Sequence, residues 1–250
     1  MSAPLAEPWY VEAFRTEYAQ VYAHRDLESA RREVDYLLAN GVGGRVVDLC
    51  CGFGRHTLAL CEHRVDAVGI DLSHELLLHA RSLPHGERLR RRLIRGDARR
   101  IPMGAGTAGS IIVMFSSFGY FGDDGDREVL GEIARVLRPR GRVVLDLMNP
   151  ARVRAELVPE SRAEAQGALI EERRALADGG RRVVKDVRMR LPNGRERSWR
   201  EDVRMYETAE IAELLRASGL ELALVHGDFD GSPFDVRSPR QIVHAVRTAA

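Results

Sequence analysis

Lysine is nearly missing from this chain: Lys185 is the only one, and the remaining basic charge is arginine. Schiff-base chemistry would have to run through that single residue, which sits in an alternating, strand-like run, so it is not expected. Cysteine is scarce too. Cys50, Cys51 and Cys61 are an odd number in 250 residues and do not suggest a disulfide framework. No CxxC or Cys/His spacing resembles a structural zinc site, and no metal is expected. There is no run of about 18 apolar residues to cross a membrane. The opening residues are polar and proline-bearing without an apolar h-region, so a signal peptide is not expected and the cytoplasm is the default location. A formal charge of +1 supplies no field that would draw in nucleic acid or an acidic membrane, and neither is an expected partner.

What is present is ordinary globular composition, 44% hydrophobic and 30% charged. Val11, Phe14, Tyr18, Val21 and Tyr22 recur at helical spacing, which predicts an amphipathic helix over 8–23. Asp26 is a plausible N-cap for a second helix that stops near Asn40-Gly41. Apolar strands then alternate with helical stretches: Arg45–Leu49, Val65–Ile70, Leu93–Asp97, Ile111–Phe115 and Arg142–Met148, read as five βα units. That rhythm predicts an α/β fold with a doubly wound, mostly parallel sheet. After Pro150 three long runs, Ala168–Ala177, Arg181–Leu191 and Arg195–Met205, are separated by the hairpin signals Asp178-Gly179-Gly180 and Pro192-Asn193-Gly194. They predict a three-stranded antiparallel insertion. A helix Thr208–Ser218 and strands Leu220–Phe229 and Gln241–Arg247 then return to the main sheet, giving seven strands. The expected division is a helical cap over 1–44, a cofactor-binding core over 45–150, an inserted lid over 151–206 and a return to the core over 207–250.

The stretch Val46-Val47-Asp48-Leu49-Cys50-Cys51-Gly52-Phe53-Gly54 is a strand, a tight turn and a helix start. Ligands of such sheets bind at the carboxyl ends of strands, where glycine lets backbone come close. Asp71, seventeen residues after Gly54, ends the second strand, where a carboxylate can accept hydrogen bonds from both hydroxyls of a ribose. Two nucleoside readings compete. A dinucleotide fingerprint, hence a nicotinamide dehydrogenase, wants a third glycine where Thr57 stands, and would not welcome Asp48 near a pyrophosphate. A carboxylate suits a cofactor with a cationic amino-acid end.

With Asp48, Gly52 and Gly54 the segment resembles the first motif, D-x-G-x-G-x-G, of class I (Rossmann-like) S-adenosylmethionine (SAM)-dependent methyltransferases, with Cys50 in place of the first glycine. Asp71, Gly96-Asp97-Ala98, Ile111–Phe115 and Arg138-Pro139-Arg140-Gly141 follow the family's later motifs in order. The resemblance implies SAM as cofactor, S-adenosylhomocysteine as product, and cofactor contacts from Asp48, Cys50, Gly52, Gly54, Asp71 and Leu72. It further implies that Asp97 meets the adenine amino group, that Ala98 offers a backbone N–H, and that Phe115 and Ser116 lie beside the cofactor. Tyr22 and Arg25 are expected to close over it from the N-terminal helix. A SAM-binding regulatory or partner protein without turnover is the alternative from a different class.

For the acceptor the sequence is less direct. The resemblance to bacterial small-molecule methyltransferases implies methylation of O, N or C of a small molecule. Ser116-Ser117-Phe118-Gly119-Tyr120 lacks the N/D-P-P-Y/F of enzymes that methylate base or glutamine amino groups. The arginines over 88–100 lack interleaved aromatics, so they read as a solvated face rather than an RNA site. Tyr120, Asn149, Trp199 and Arg200 are expected to face the acceptor. His226, Asp228 and Tyr120 are the candidates for a general base, with His24 and His56 weaker. A homodimer is open to the chain.

Overall fold

The computed structural model describes residues 8–15, 18 and 26–249. The chain runs α1 (Trp9–Ala13), α2 (Leu27–Ala39), β1 (Arg45–Leu49), α3 (Arg55–Glu62), β2 (Asp66–Asp71), α4 (His74–His79), β3 (Leu93–Arg95), β4 (Ala108–Val113), α5 (Gly122–Val136) and β5 (Leu137–Leu147). It continues through α6 (Pro150–Glu156), β6 (Glu160–Ala165), β7 (Ala168–Ala177), β8 (Arg182–Arg190), β9 (Glu196–Arg204), α7 (Thr208–Ala217), β10 (Leu220–His226) and β11 (Gln241–Arg247). Seven strands form the main sheet in the order β10-β11-β5-β4-β1-β2-β3, with β11 antiparallel to both its neighbours and the other pairs parallel. The expected α/β fold is the observed one.

Both faces of the sheet are covered, which is why β4 is buried along its whole length and reads as a continuous apolar run. On one face Val47, Ile111 and Leu145 meet Leu130 and Ile133 of α5 and Ile211 and Leu215 of α7. On the other, Val46, Ile112 and Val144 meet Val34 and Leu37 of α2 and Ala59 and Leu60 of α3. Each of the valines, leucines and isoleucines among them, taken from water, contributes roughly 1.5–3 kcal/mol. Among the described residues no helix is long and apolar enough to cross a membrane.

Three local expectations need correction. The first helix stops at Ala13, because Phe14 leaves helical geometry at φ −94°, ψ 61°. The link from β3 to β4 has no helix: Pro102, Gly104 and Gly106 punctuate it, so the βα repeat is broken there. The insertion has four strands, in the order β6-β7-β8-β9. Sequence reasoning missed β6 because Glu-Ser-Arg-Ala-Glu-Ala has no β-branched or aromatic residue. As an edge strand it pairs only with β7, and Arg162–Glu171 and Arg173–Glu160 ion pairs lace the two together.

The insertion shares its core with the N-terminus. Ala13 of α1 packs with Ile170, Val187, Met189 and Trp199, and Trp9 joins from the rim. That apolar patch holds the N-terminal segment against the inserted sheet, above the carboxyl ends of β1, β2 and β4.

Candidate functional site

The turn after β1 is held in left-handed backbone at three places, Cys50 (φ 61°), Gly52 (φ 58°) and Gly54 (φ 79°). Cys50 takes a conformation that costs an L-residue about 1–2 kcal/mol, a form of strain that concentrates at functional sites. Asp48 lies beneath the turn, buried, and its Oδ2 accepts from both the backbone N and Oγ1 of Thr57, at 3.0 and 2.7 Å. This explains the threonine where a dinucleotide turn needs glycine. The close approach of helix to sheet is made instead at Gly69 of β2, where a Cβ would stand 2.6 Å from Thr57 Oγ1 and 2.7 Å from Cys51 Sγ. Asp48 therefore fastens the turn to α3; contrary to the expectation, it does not line the cleft.

Asp71 does line it. Its Oδ2 accepts from Gly52 N at 2.7 Å and its Oδ1 from Ser73 N at 2.7 Å, which fixes the carboxylate at the lip of the turn. Among the described residues it has no ion-pair partner, and desolvation pushes its pKa up to about 6. With Cys50, Gly52, Leu72, Leu76 and Ser117 it bounds a space of about 60 Å³, capped by Tyr10, Phe14, Tyr18, Tyr120 and Phe121. Ser73 Oγ donates to the Phe14 carbonyl at 2.5 Å, tying this aromatic cover to the start of α4. Burial raises the Cys50 thiol well above its usual range, so it stays a neutral wall.

A second cavity, of about 300 Å³, shares Phe14, Tyr18 and Tyr120 with the first. Its floor is Phe115 and Ser116, both left-handed at φ 62° and 54°. Asp146 of β5 imposes that strain: its side chain accepts from Phe115 N at 2.7 Å and its carbonyl from Ser116 N at 2.8 Å. The same carboxylate holds Arg240 in a two-pronged pair, one contact at 2.6 Å. The roof is the inner face of the inserted sheet. The register sets Arg174 opposite Lys185 and Lys185 opposite Glu201, so all three face the cavity. Met148, Val153, Leu157, Val183 and Val203 complete it.

Other expected residues lie elsewhere. Asp97 is engaged by Arg99, whose guanidinium bonds hold its pKa down, and Ala98 is buried in the core. Neither lines the smaller space. Phe115 and Ser116 border the larger cavity, and Ser117 takes the place beside the turn. Asn149 caps α6 and donates to the carbonyls of Asp235 and Ser238, so it is structural. Trp199 lies under α1, and Arg200, on the opposite face of β9, pairs with Asp186 at 2.7 Å. His226 Nδ1 meets Tyr36 Oη at 2.6 Å, within a buried group completed by His244, and Asp228 bonds the N–H of Phe229. Neither lines either of the two cavities, and His56 is bound to Glu33. Tyr120 borders both cavities. Tyr22, Arg25 and His24 lie outside the described residues.

Comparison with known proteins decides between the nucleoside readings. Residues 46–141, from β1 into β5, match a family described as "Methyltransferase domain". Residues 46–141 thus carry the methyltransferase-domain pattern, set in a class I fold. SAM is the cofactor this match points to. The chain is 24% identical to the putative methyltransferase YqeM of Bacillus subtilis, over 95% of this chain and 97% of that protein. Its fold is that of the CcbJ methyltransferase from Streptomyces caelestis, with a TM-score of 0.77 at 18% identity, covering 96% of this chain and 98% of that one. It also superposes on SAM-bound CalS10, an amino pentose methyltransferase from Micromonospora echinaspora, with a TM-score of 0.66 at 22% identity over 99% and 100% of the two chains.

The residues present fit such a cofactor. Asp71 is a desolvated carboxylate with no ion-pair partner among the described residues, beside a turn whose backbone is left-handed at Cys50, Gly52 and Gly54. Asp71, Cys50, Gly52 and Leu72 would hold the adenosine and methionine ends. The aromatic cover must open first, because a space of about 60 Å³ is below the roughly 300 Å³ at which small-molecule sites begin.

The raised pKa of Asp71 has a measurable consequence. Below about 6 its carboxyl is protonated and is a poorer acceptor for ribose hydroxyls. SAM affinity, read by calorimetry, should climb as pH rises through about 6 and level off above it. Asp71→Asn should bind more weakly with no such rise; a rise that persists in this variant would assign it to another group. In the free protein the sign is opposite. The folded state keeps a proton that the unfolded chain loses near 3.8, so this group subtracts stability as pH climbs from about 4 to about 6.

Proposed function

We propose that this methyltransferase transfers the methyl group of SAM to a small molecule held in the 300 Å³ cavity. The observation that carries the reading is the shared wall: Phe14, Tyr18 and Tyr120 border both the space beside Asp71 and this cavity. An acceptor in one space is thereby set next to a ligand of the other. SAM supplies a methyl carbon on a sulfonium, a group that needs alignment and exclusion of water more than a covalent nucleophile. In this reading residues 151–206 are the roof over the acceptor, and α1 is the cover that keeps water out. A cavity of this volume suits a metabolite better than a duplex or a folded partner.

Tyr120 is the residue best placed to orient the acceptor. Its ring stacks on Phe14 at 5.5 Å, and burial raises its phenol well above the ordinary value. At neutral pH it is therefore a hydrogen-bonding phenol and not a base. Methyl-labelled SAM offered with a panel of small phenols, amines and acids, alongside tRNA and a protein extract, tests the proposal. Label should enter a small molecule; label confined to RNA or protein would overturn it. With such an acceptor, Tyr120→Phe should lower kcat by about ten-fold or more while SAM affinity holds. An unchanged kcat would remove Tyr120 from the role.

A further inference from the structure

The roof of the larger cavity carries charge that stability does not explain. Arg174 and Lys185 have side chains only 25% and 12% exposed, in one network with Glu172 and Glu201. Lys185 Nζ lies 2.9 Å from Glu201 and 3.5 Å from Glu172, and Arg174 pairs with Glu172 and donates to Ser161 Oγ at 3.0 Å. Buried ion networks of this kind rarely stabilise a fold more than apolar residues of the same size would. A network kept on a cavity wall therefore points to a ligand.

The arrangement also has a direction. Arg174, Lys185 and Arg240 line the cavity, whereas Glu172 and Asp146, which balance Arg174 and Arg240, are not among its lining residues. Glu201 is the only carboxylate among the described lining residues, and the Lys185 ammonium is held against it. The pairs thus present their positive ends to the cavity. Arg174, Val153 and Leu157 also border an outer depression, together with Arg152, Glu156 and Pro239. Met148, Val153, Leu157, Val183 and Val203 form an apolar part of the wall.

We propose that the methyl acceptor is a small amphipathic acid, its apolar body against Met148 and Val203 and its anionic group against Arg174 and Lys185. This rests on the reading of the cavity as the acceptor site. A carboxylate there would exchange part of the Glu172 and Glu201 pairing for its own charge-assisted bonds, and a carboxamide or ammonium of the same shape would not.

The test titrates benzoate, benzamide and benzylamine into the full chain saturated with S-adenosylhomocysteine, by calorimetry. Benzoate should bind roughly ten-fold or more tightly than the other two, the difference expected between a charge-assisted and a neutral hydrogen bond. Arg174→Gln and Lys185→Met should each remove most of that ratio, and Arg174→Lys should keep much of it. A purely structural role would change stability and leave the ratio alone. Absence of benzoate binding, equal or better binding of either neutral or cationic probe, or an unchanged ratio in both variants would overturn the proposal. The saturation step separates the two readings. A chain that fails to bind S-adenosylhomocysteine sinks the methyltransferase reading and this one with it, whereas one that binds it without preferring the anion sinks only the acid.

Discussion

Replacing Asp146 by alanine should cost the protein about 3–5 kcal/mol, as removal of one partner from a buried ion pair does. The carboxylate is 3% exposed and meets three demands at once. It balances Arg240, takes the N–H of Phe115, and through the latter keeps Phe115 and Ser116 in left-handed backbone. Without it the Arg240 charge stays in the cavity wall with no counter-ion, and the strained pair is free to relax. Urea denaturation should register the loss, and turnover should fall further than stability because the floor of the cavity moves. Asp146→Asn keeps the shape and an acceptor for Phe115 and should lie between the two. The double variant Asp146→Ala/Arg240→Met should recover part of the loss, since no charge is then stranded. A single alanine variant within about 1 kcal/mol of the parent would show that the pair is not what holds the floor.

The two halves of the site were unequally legible in the sequence. The cofactor turn could be read because its requirements are local: a strand, glycines, and an acid at the end of the next strand. Cys50, Gly52, Asp71 and Leu72 all border the smaller space. Asp48 sits where its spacing put it, but its partner is Thr57, and no spacing rule says which way a carboxylate under a turn will point. The acceptor cavity is assembled from segments far apart in the chain. Its roof residues were recoverable in principle, because the hairpins at 178–180 and 192–194 set Arg174, Lys185 and Glu201 in register on one face. Arg240 had no such signal: it comes from a loop, and only the fold brings it to Asp146. His226 failed as a base for a similar reason, since Tyr36 and His244 reach it from two other elements.

Gly119→Ala is the substitution that should separate acceptor chemistry from cofactor binding most sharply. Gly119 has φ +101°, outside the range open to alanine, and an added Cβ would stand 2.3 Å from the carbonyl oxygen of Arg204. That oxygen is backbone at the end of β9 and cannot swing away as a side chain could. The Gly119 carbonyl also accepts from Arg204 N at 2.9 Å, so this contact joins the segment after β4 to the inserted sheet. Strain and overpacking together should cost about 3–5 kcal/mol. The displacement would fall on Tyr120, the next residue, and on the spacing between floor and roof. The Asp71–Gly52 bond does not involve Gly119, so SAM binding at low temperature should weaken less than methyl transfer, although Tyr120 borders both spaces. Gly131→Ala is the matched control: it lies in α5 with nothing within 4 Å of the added Cβ. There the change should be neutral or stabilise by up to about 1 kcal/mol, because alanine favours helix where glycine does not. If both variants melted alike and turned over alike, the Gly119–Arg204 contact would not be what sets the roof above the floor.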